Sequence, residues 1–134
     1  LTKGGKLTTS LRTEHVCLVT YGFHQQSISY SAHQPAVSFG RALNALRNAG
    51  AHSESAIDAH VQQLASAQQA AELAHHLRAI VQLMRATKKP IGFNYTQLFH
   101  DLVSLQQESQ AGRVRRRWGS AYYFIDDQTT THQE

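Results

Sequence analysis

Four arginines, Arg113, Arg115, Arg116 and Arg117, run directly into Trp118 and the aromatic group Tyr122-Tyr123-Phe124. Guanidinium groups meet phosphates through paired hydrogen bonds, and arginine and aromatic faces both stack on bases, so this pattern suits a nucleic-acid surface. The same stretch reads as an amphipathic helix. Val114, Trp118, Ala121 and Ile125 share one face of a 3.6-residue wheel, and the arginines fan around the rest in water. The two readings are compatible if Trp118 anchors the helix in a core, as its spacing with Val114 and Ala121 predicts.

Other groups that do chemistry are present in the wrong spacing. Among nine histidines, His75 and His76 are neighbours that point about 100° apart on a helix, so they cannot chelate one ion as residues at i and i+4 would. His60 lies on a different predicted helix, and zinc needs three or four converging ligands, so no metal site is expected. Asp126-Asp127 reads as a solvated, mutually repelling pair. Gly40-Arg41 and Gly112-Arg113 hold isolated glycines, not a phosphate-binding fingerprint. Cys17 has apolar neighbours and reads as a small core residue, not a nucleophile. No catalytic residue and no cofactor is expected, so the chain reads as a non-enzyme.

The charge is uneven. Up to His52 the chain holds Lys3, Lys6, Arg12, Arg41 and Arg47 against one acid, Glu14; Arg78, Arg85, Lys88 and Lys89 follow, and then the four arginines. Acids gather at Glu54, Asp58 and Glu72, and again at Asp101, Glu108 and the tail. Three basic clusters folded onto a common face would make a groove that neutralises phosphates along a strand. Scattered solvated charge is the alternative. A net charge of +4 permits an acidic partner without demanding one.

These residues need a scaffold, and 134 residues suffice for one domain burying about two-thirds of its unfolded surface. Two prolines and eight glycines favour long helices over many short strands. The single cysteine rules out an internal disulfide framework and fits a reduced, cytoplasmic setting. No apolar run is long enough to span a membrane, and no signal-peptide pattern opens the chain. The chain starts at Leu1 instead of Met, which suits a natural N-terminus lying elsewhere, and residues 1–6 read as a loop.

Along the chain, Ser10 to about Gln26 reads as a helix with Leu11, Cys17, Leu18, Val19 and Phe23 as its apolar stripe. Residues 25–34 and Pro35 form a loop. Phe39, Leu43 and Leu46 repeat at helical spacing between a Ser38 N-cap and a Gly50 stop. The next helix starts near Ser53 or Ser55, where Ser55-Ala-Ile-Asp58 resembles a capping box, and turns Ile57, Val61 and Leu64 inward. After a break near Ser66, residues 68–87 place Leu73, Leu77, Ile80 and Met84 on one face, and Lys88-Lys89-Pro90 ends that helix. Asn94 and Gln97 open another, carrying Leu98, Leu102 and Leu105, and Gly112 separates it from the arginine-rich helix. The expectation is an all-α, bundle-like single domain of five to six helices, with residues 1–9 and 126–134 flexible.

Four stretches carry a family likeness in order and spacing: Val37-Ser-Phe-Gly-Arg-Ala-Leu43, Glu72-Leu-Ala-His-His-Leu-Arg-Ala-Ile-Val81, Ile91-Gly-Phe-Asn-Tyr-Thr-Gln-Leu98 with Asp101-Leu102, and the Arg113 to Phe124 block. Together they resemble the CasB family, the small subunit of the type I-E CRISPR effector complex Cascade. The likeness covers residues 37–124; the first 36 match more loosely and look shorter and richer in glycine. It implies a non-catalytic, all-helical protein present as two copies beside the other Cascade subunits. There it would line a basic path for guide RNA and target DNA, stabilising the R-loop without reading sequence. Arg41 matches the arginine of the family's Gly-Arg-Ala-Leu motif and Arg78 that of its leucine-arginine helix, making both first choices for phosphate contacts. Helix capping or an internal ion pair is the alternative for each. Arg113, Arg115, Arg116 and Arg117 match the family's basic final helix as a group, and Lys88 and Lys89 rest on charge alone.

Two other functions fit parts of the sequence. A helical protein–protein adaptor would use its positive charge for solubility. A helix-turn-helix regulator could occupy residues 42–64, but its second helix carries Asp58 and no arginine.

Overall fold

The structure, a computed structural model, describes the backbone of residues 2–124 and the side chains of residues 8–124. Six helices follow one another: α1 Thr2–Gln25, α2 Phe39–Asn48, α3 Glu54–Ser66, α4 Ala70–Arg85, α5 Tyr95–Leu105 and α6 Glu108–Tyr122. The all-α expectation holds. Helix packing runs α1–α4–α3–α2–α6–α5 and back to α1, a closed ring around one core. The predicted inward faces are buried as expected: Phe39, Leu43 and Leu46 on α2, Ile57, Val61 and Leu64 on α3, Leu73, Leu77, Ile80 and Met84 on α4, Leu98, Leu102 and Leu105 on α5.

Local chemistry sets several helix ends. Ser38 Oγ accepts from the Arg41 amide at 3.2 Å, and Asn94 Oδ1 accepts from Gln97 N at 3.0 Å, each satisfying an amide that the first helical turn leaves unpaired. Gly50, at φ +73°, stops α2 in the left-handed region where other residues are strained. Of the two expected starts of α3, the structure takes Ser53, whose Oγ accepts from Ala56 N at 3.2 Å, and the Ser55–Asp58 capping box does not form, Asp58 turning instead to Arg47.

Three further expectations are corrected. Helix α1 begins at Thr2, so residues 2–6 are helical where a loop was predicted and the helix starts well before Ser10. Each added residue contributes a hydrogen bond, and a glycine in a helix costs only about 1 kcal/mol, so Gly4 and Gly5 weaken the helix without stopping it. The break before α6 falls at Gln106-Gln107, and Gly112 lies inside α6. Gln106 Nε2 folds back onto Leu102 O at 3.0 Å and Thr13 Oγ1 at 2.8 Å, and Glu108 suits the positive end of the new helix. On α1, Leu11, Leu18 and Val19 are 60%, 62% and 51% exposed. The inner face is Thr13, Val16, Cys17, Thr20 and His24. It is partly polar, which hides it from a hydrophobicity pattern. Cys17 is buried as predicted, and burial pushes its thiol up to about 12. The predicted outward pair Asp126-Asp127, the inward Ile125 and the C-terminal tail lie outside the described residues.

His24 ties α1 to the α4–α5 link. Its Nε2 is 2.8 Å from Ile91 O and its Nδ1 is 2.8 Å from Tyr95 Oη. A carbonyl only accepts, so Nε2 carries the proton and Nδ1 accepts from the tyrosine. Burial holds the imidazole pKa below its ordinary value, so the folded protein binds fewer protons here than the unfolded chain. Stability from this residue is full above about pH 6.5 and falls as pH drops towards the folded value. Thermal melts from pH 7.5 to 5.5 are expected to show a smaller Tm loss in His24→Gln than in wild type; equal losses would discount this linkage.

Gly40 sets the approach of α2 to α6. A Cβ there would lie 2.7 Å from Ala121 Cβ and 3.3 Å from Trp118 O. Gly40→Ala is expected to destabilise the fold by about 1–3 kcal/mol through overpacking. Combination with Ala121→Gly is expected to cost less than the sum of the single changes, measured in urea.

Candidate nucleic-acid interface

The close α2–α6 seam carries a groove of about 800 Å³. Arg41, Asn44, Ala45 and Asn48 form one wall, and Arg117, Ser120, Ala121 and Phe124 the other. The positions in each wall are spaced i, i+3, i+4, i+7, one helical stripe facing another. Each wall supplies one guanidinium, amides or hydroxyls stand between, and alanines form the floor. Asn44 Nδ2 donates to Tyr122 O at 2.8 Å and Phe124 O at 3.2 Å, fixing the end of α6 against α2. Phe124 and Tyr123, 62% and 53% exposed, border this end.

Trp118 is buried as its spacing predicted. Its ring packs against Phe39 at 5.0 Å with planes at 60°, and Nε1–H donates to Asp101 Oδ2 at 2.9 Å. Arg117 pairs with the other Asp101 oxygen. Burial raises the Asp101 pKa, opposed by the Trp118 hydrogen bond and the Arg117 charge. Arg117 is thereby held over the groove with half its side chain in water.

The predicted cations divide by location. Arg41 and Arg117 meet in the groove, and Arg113 and Arg116 are exposed on α6. Arg115 Nε donates to Ala65 O at 2.7 Å, satisfying a carbonyl at the C-terminal end of α3. Arg78 lies on the α1–α4 seam with its guanidinium 4.1 Å from the Phe23 ring centroid, across the ring from the α2–α6 groove. Lys88 and Lys89 are exposed in the α4–α5 link. Among the described residues, Arg41, Arg78, Lys88, Lys89, Arg113, Arg115 and Arg116 form no ion pair with a carboxylate. The three basic clusters therefore do not all share one groove.

Asn44, Asn48 and Ser120 were not singled out from sequence, although Asn44 and Asn48 follow Arg41 at i+3 and i+7 and are legible once that face is known to be exposed. Arg47 serves the scaffold: it pairs with Glu54 and Asp58, each at 3.1 Å, and lies 5.7 Å from the Tyr122 and Tyr123 ring centroids. The Arg47 hydrogen bond holds the Asp58 carboxyl below its ordinary pKa, aided by the Tyr122 hydroxyl. Asp58, the acid on the second helix of the helix-turn-helix reading, is thus occupied internally. Arg85 donates to Phe23 O at 3.0 Å and Gln26 O at 2.7 Å, capping the end of α1.

A closed ring of helices with a basic, amide-lined groove defines an all-α domain whose leading chemical feature is fixed positive charge. The family model for CRISPR-associated protein Cse2 matches residues 1–123. The chain therefore belongs to the Cse2 (CasB) family, and the match takes in the first 36 residues as well. The crystal structure of CasB from Thermobifida fusca is similar to it with a TM-score of 0.78 and 27% identity, covering 89% of this chain and 66% of that one. The present chain thus spans just under two-thirds of that structure. No curated protein matches the chain by sequence.

Proposed function

We propose that this chain is a non-catalytic small subunit of a type I-E CRISPR RNA-guided complex, present as two copies among the other Cascade subunits in the cytoplasm. It holds the phosphate backbone of guide RNA or target DNA without reading base sequence, and so stabilises the R-loop in antiviral defence. The observation that carries this reading is the pair Arg41 and Arg117 on facing walls of one groove, with Arg113 and Arg116 exposed on the same helix as Arg117. Guanidinium groups on two walls neutralise successive phosphates, while guide pairing supplies specificity. Exposed Tyr123 and Phe124 offer faces on which any base stacks.

Single-stranded DNA binding by the isolated chain tests this. Affinity is expected to fall with salt on a log–log slope of about −0.7 per neutralised phosphate, with unrelated sequences competing equally. Negligible affinity at moderate salt would favour the adaptor reading instead, and strong preference for one sequence would favour a regulator.

A further inference from the structure

Of six exposed large hydrophobic residues among those described, four are on α1: Leu11 and Val19 on its α4-facing side, Leu18 and Tyr21 on its α5-facing side. Between α1 and α4 run two adjoining hollows of about 330 and 380 Å³, which share His15, Val16 and Ala74. Ala70, Ala71 and Ala74 make the α4 wall low, and Val16 and Val19 line the α1 side. Small residues of this kind let a third helix approach closely, and its apolar side chains would cover aliphatic groups now in water. The hollows follow α1 from Leu11 to Thr20, about 15 Å at the helical rise, or some three turns of a partner helix.

The two guanidinium groups on the rim, Arg12 and Arg78, give it positive charge. Arg12 and His15 line it from α1, and His75 and Arg78 from α4. Of the two nearby acids, Glu14 lines the opposite, α5-facing side of α1 with Cys17, Leu18 and Tyr21. Glu72 is not among the groove's lining residues; on the α4 wheel it stands about 130° from the centre of the groove stripe and about 60° from His75. This contrasts with the α2–α6 groove, whose walls carry amides and a hydroxyl beside its arginines and end on an aromatic ring. The floor of the α1–α4 groove is aliphatic, with Val16, Val19, Ala70, Ala71 and Ala74, and its polar groups stand at the rim. This arrangement fits the apolar stripe of a helix whose flanks carry Asp or Glu.

We propose that the α1–α4 groove docks an acidic amphipathic helix of another protein subunit, with Leu11 and Val19 as apolar anchors and Arg12 and Arg78 as its charged clamps. On this assignment Arg78 orients the subunit within its assembly and does not touch phosphate. The inference rests on the functional reading in one respect, that the effector complex supplies the partner.

The test co-expresses the full chain with the other protein subunits and the guide RNA. Val19→Glu, at a half-exposed position, is expected to weaken retention in the purified complex by about 30-fold, as loss of an interface anchor does. The isolated variant keeps wild-type affinity for single-stranded DNA. Arg12→Glu, a charge reversal on a solvated site, is the second variant and moves retention the same way. A photo-crosslinking residue at position 19 is expected to capture a helical, acid-rich segment of a protein subunit. Wild-type retention of both folded variants overturns the proposal, as does crosslinking to nucleic acid, to a second copy of this chain or to a segment without acids. Absence of the wild-type chain from the purified complex overturns this proposal and the functional reading together.

Discussion

Trp118→Ala is expected to lower unfolding free energy by about 3–5 kcal/mol, a large part of the 5–15 kcal/mol that holds a typical domain together. The side chain is 3% exposed and sits where α2, α5 and α6 meet. Its removal opens a cavity beside Phe39, which itself packs on Phe93 at 4.9 Å. It also strips Asp101, a buried carboxylate, of one of its two donors. Trp118→Phe separates the two effects: it keeps most of the packing and loses only the indole N–H, so its cost is expected to be closer to that of one hydrogen bond to a charged group, about 1.5–3 kcal/mol. Urea unfolding followed by circular dichroism measures both. Equal losses for the two variants would place the whole contribution in the hydrogen bond, and a loss below about 1 kcal/mol for Trp118→Ala would remove Trp118 from the core argument.

The second large effect concerns binding. Arg41→Glu is expected to reduce single-stranded DNA affinity at low salt by about tenfold or more, because it removes one phosphate contact and adds a like charge facing Arg117's ligand. Arg41→Ala is expected to reduce the salt slope by about 0.7, the signature of one lost phosphate. Arg41 suits this experiment because, among the described residues, its side chain forms no ion pair whose loss would disturb the fold. Arg117→Glu would be ambiguous, since it places two carboxylates together at buried Asp101. Arg78→Glu is expected to leave DNA affinity of the isolated chain within about threefold of wild type, a change of under 1 kcal/mol, because its groove lies across the helical ring. A tenfold fall for Arg78→Glu would return that residue to the phosphate path on which its position in the family motif first placed it.

Much of the helical scaffold was legible because its signals are local. Large apolar residues at i, i+4 and i+7 bury α2 to α5 wherever those helices pack, and Ser38, Asn94 and Gly50 act on amides or torsions within a few residues. The family likeness was legible for the same reason, as short motifs in a fixed order. Expectations failed where a distant partner overrode the local pattern. Thr13 and His24 replace apolar residues on the inner face of α1 because Gln106 and Ile91, far along the chain, satisfy them. Ser55 was outcompeted as a cap because Asp58, its partner in the predicted box, is held by Arg47 and Tyr122.

The sequence by itself determined an all-α domain, the buried faces of its central helices, Trp118 as an anchor and a final helix clothed in arginine. Only the tertiary structure decided which cations act together. Arg41 and Arg117 are 76 positions apart by their numbering, and they meet because Gly40 lets α2 lie against Ala121 and Trp118. Arg115 next to them is drawn to the end of α3, and Arg78 to the opposite seam. Helical periodicity fixes which way a side chain points from its own axis, whereas convergence of charge depends on how the axes pack. That packing is set by contacts between residues remote in sequence.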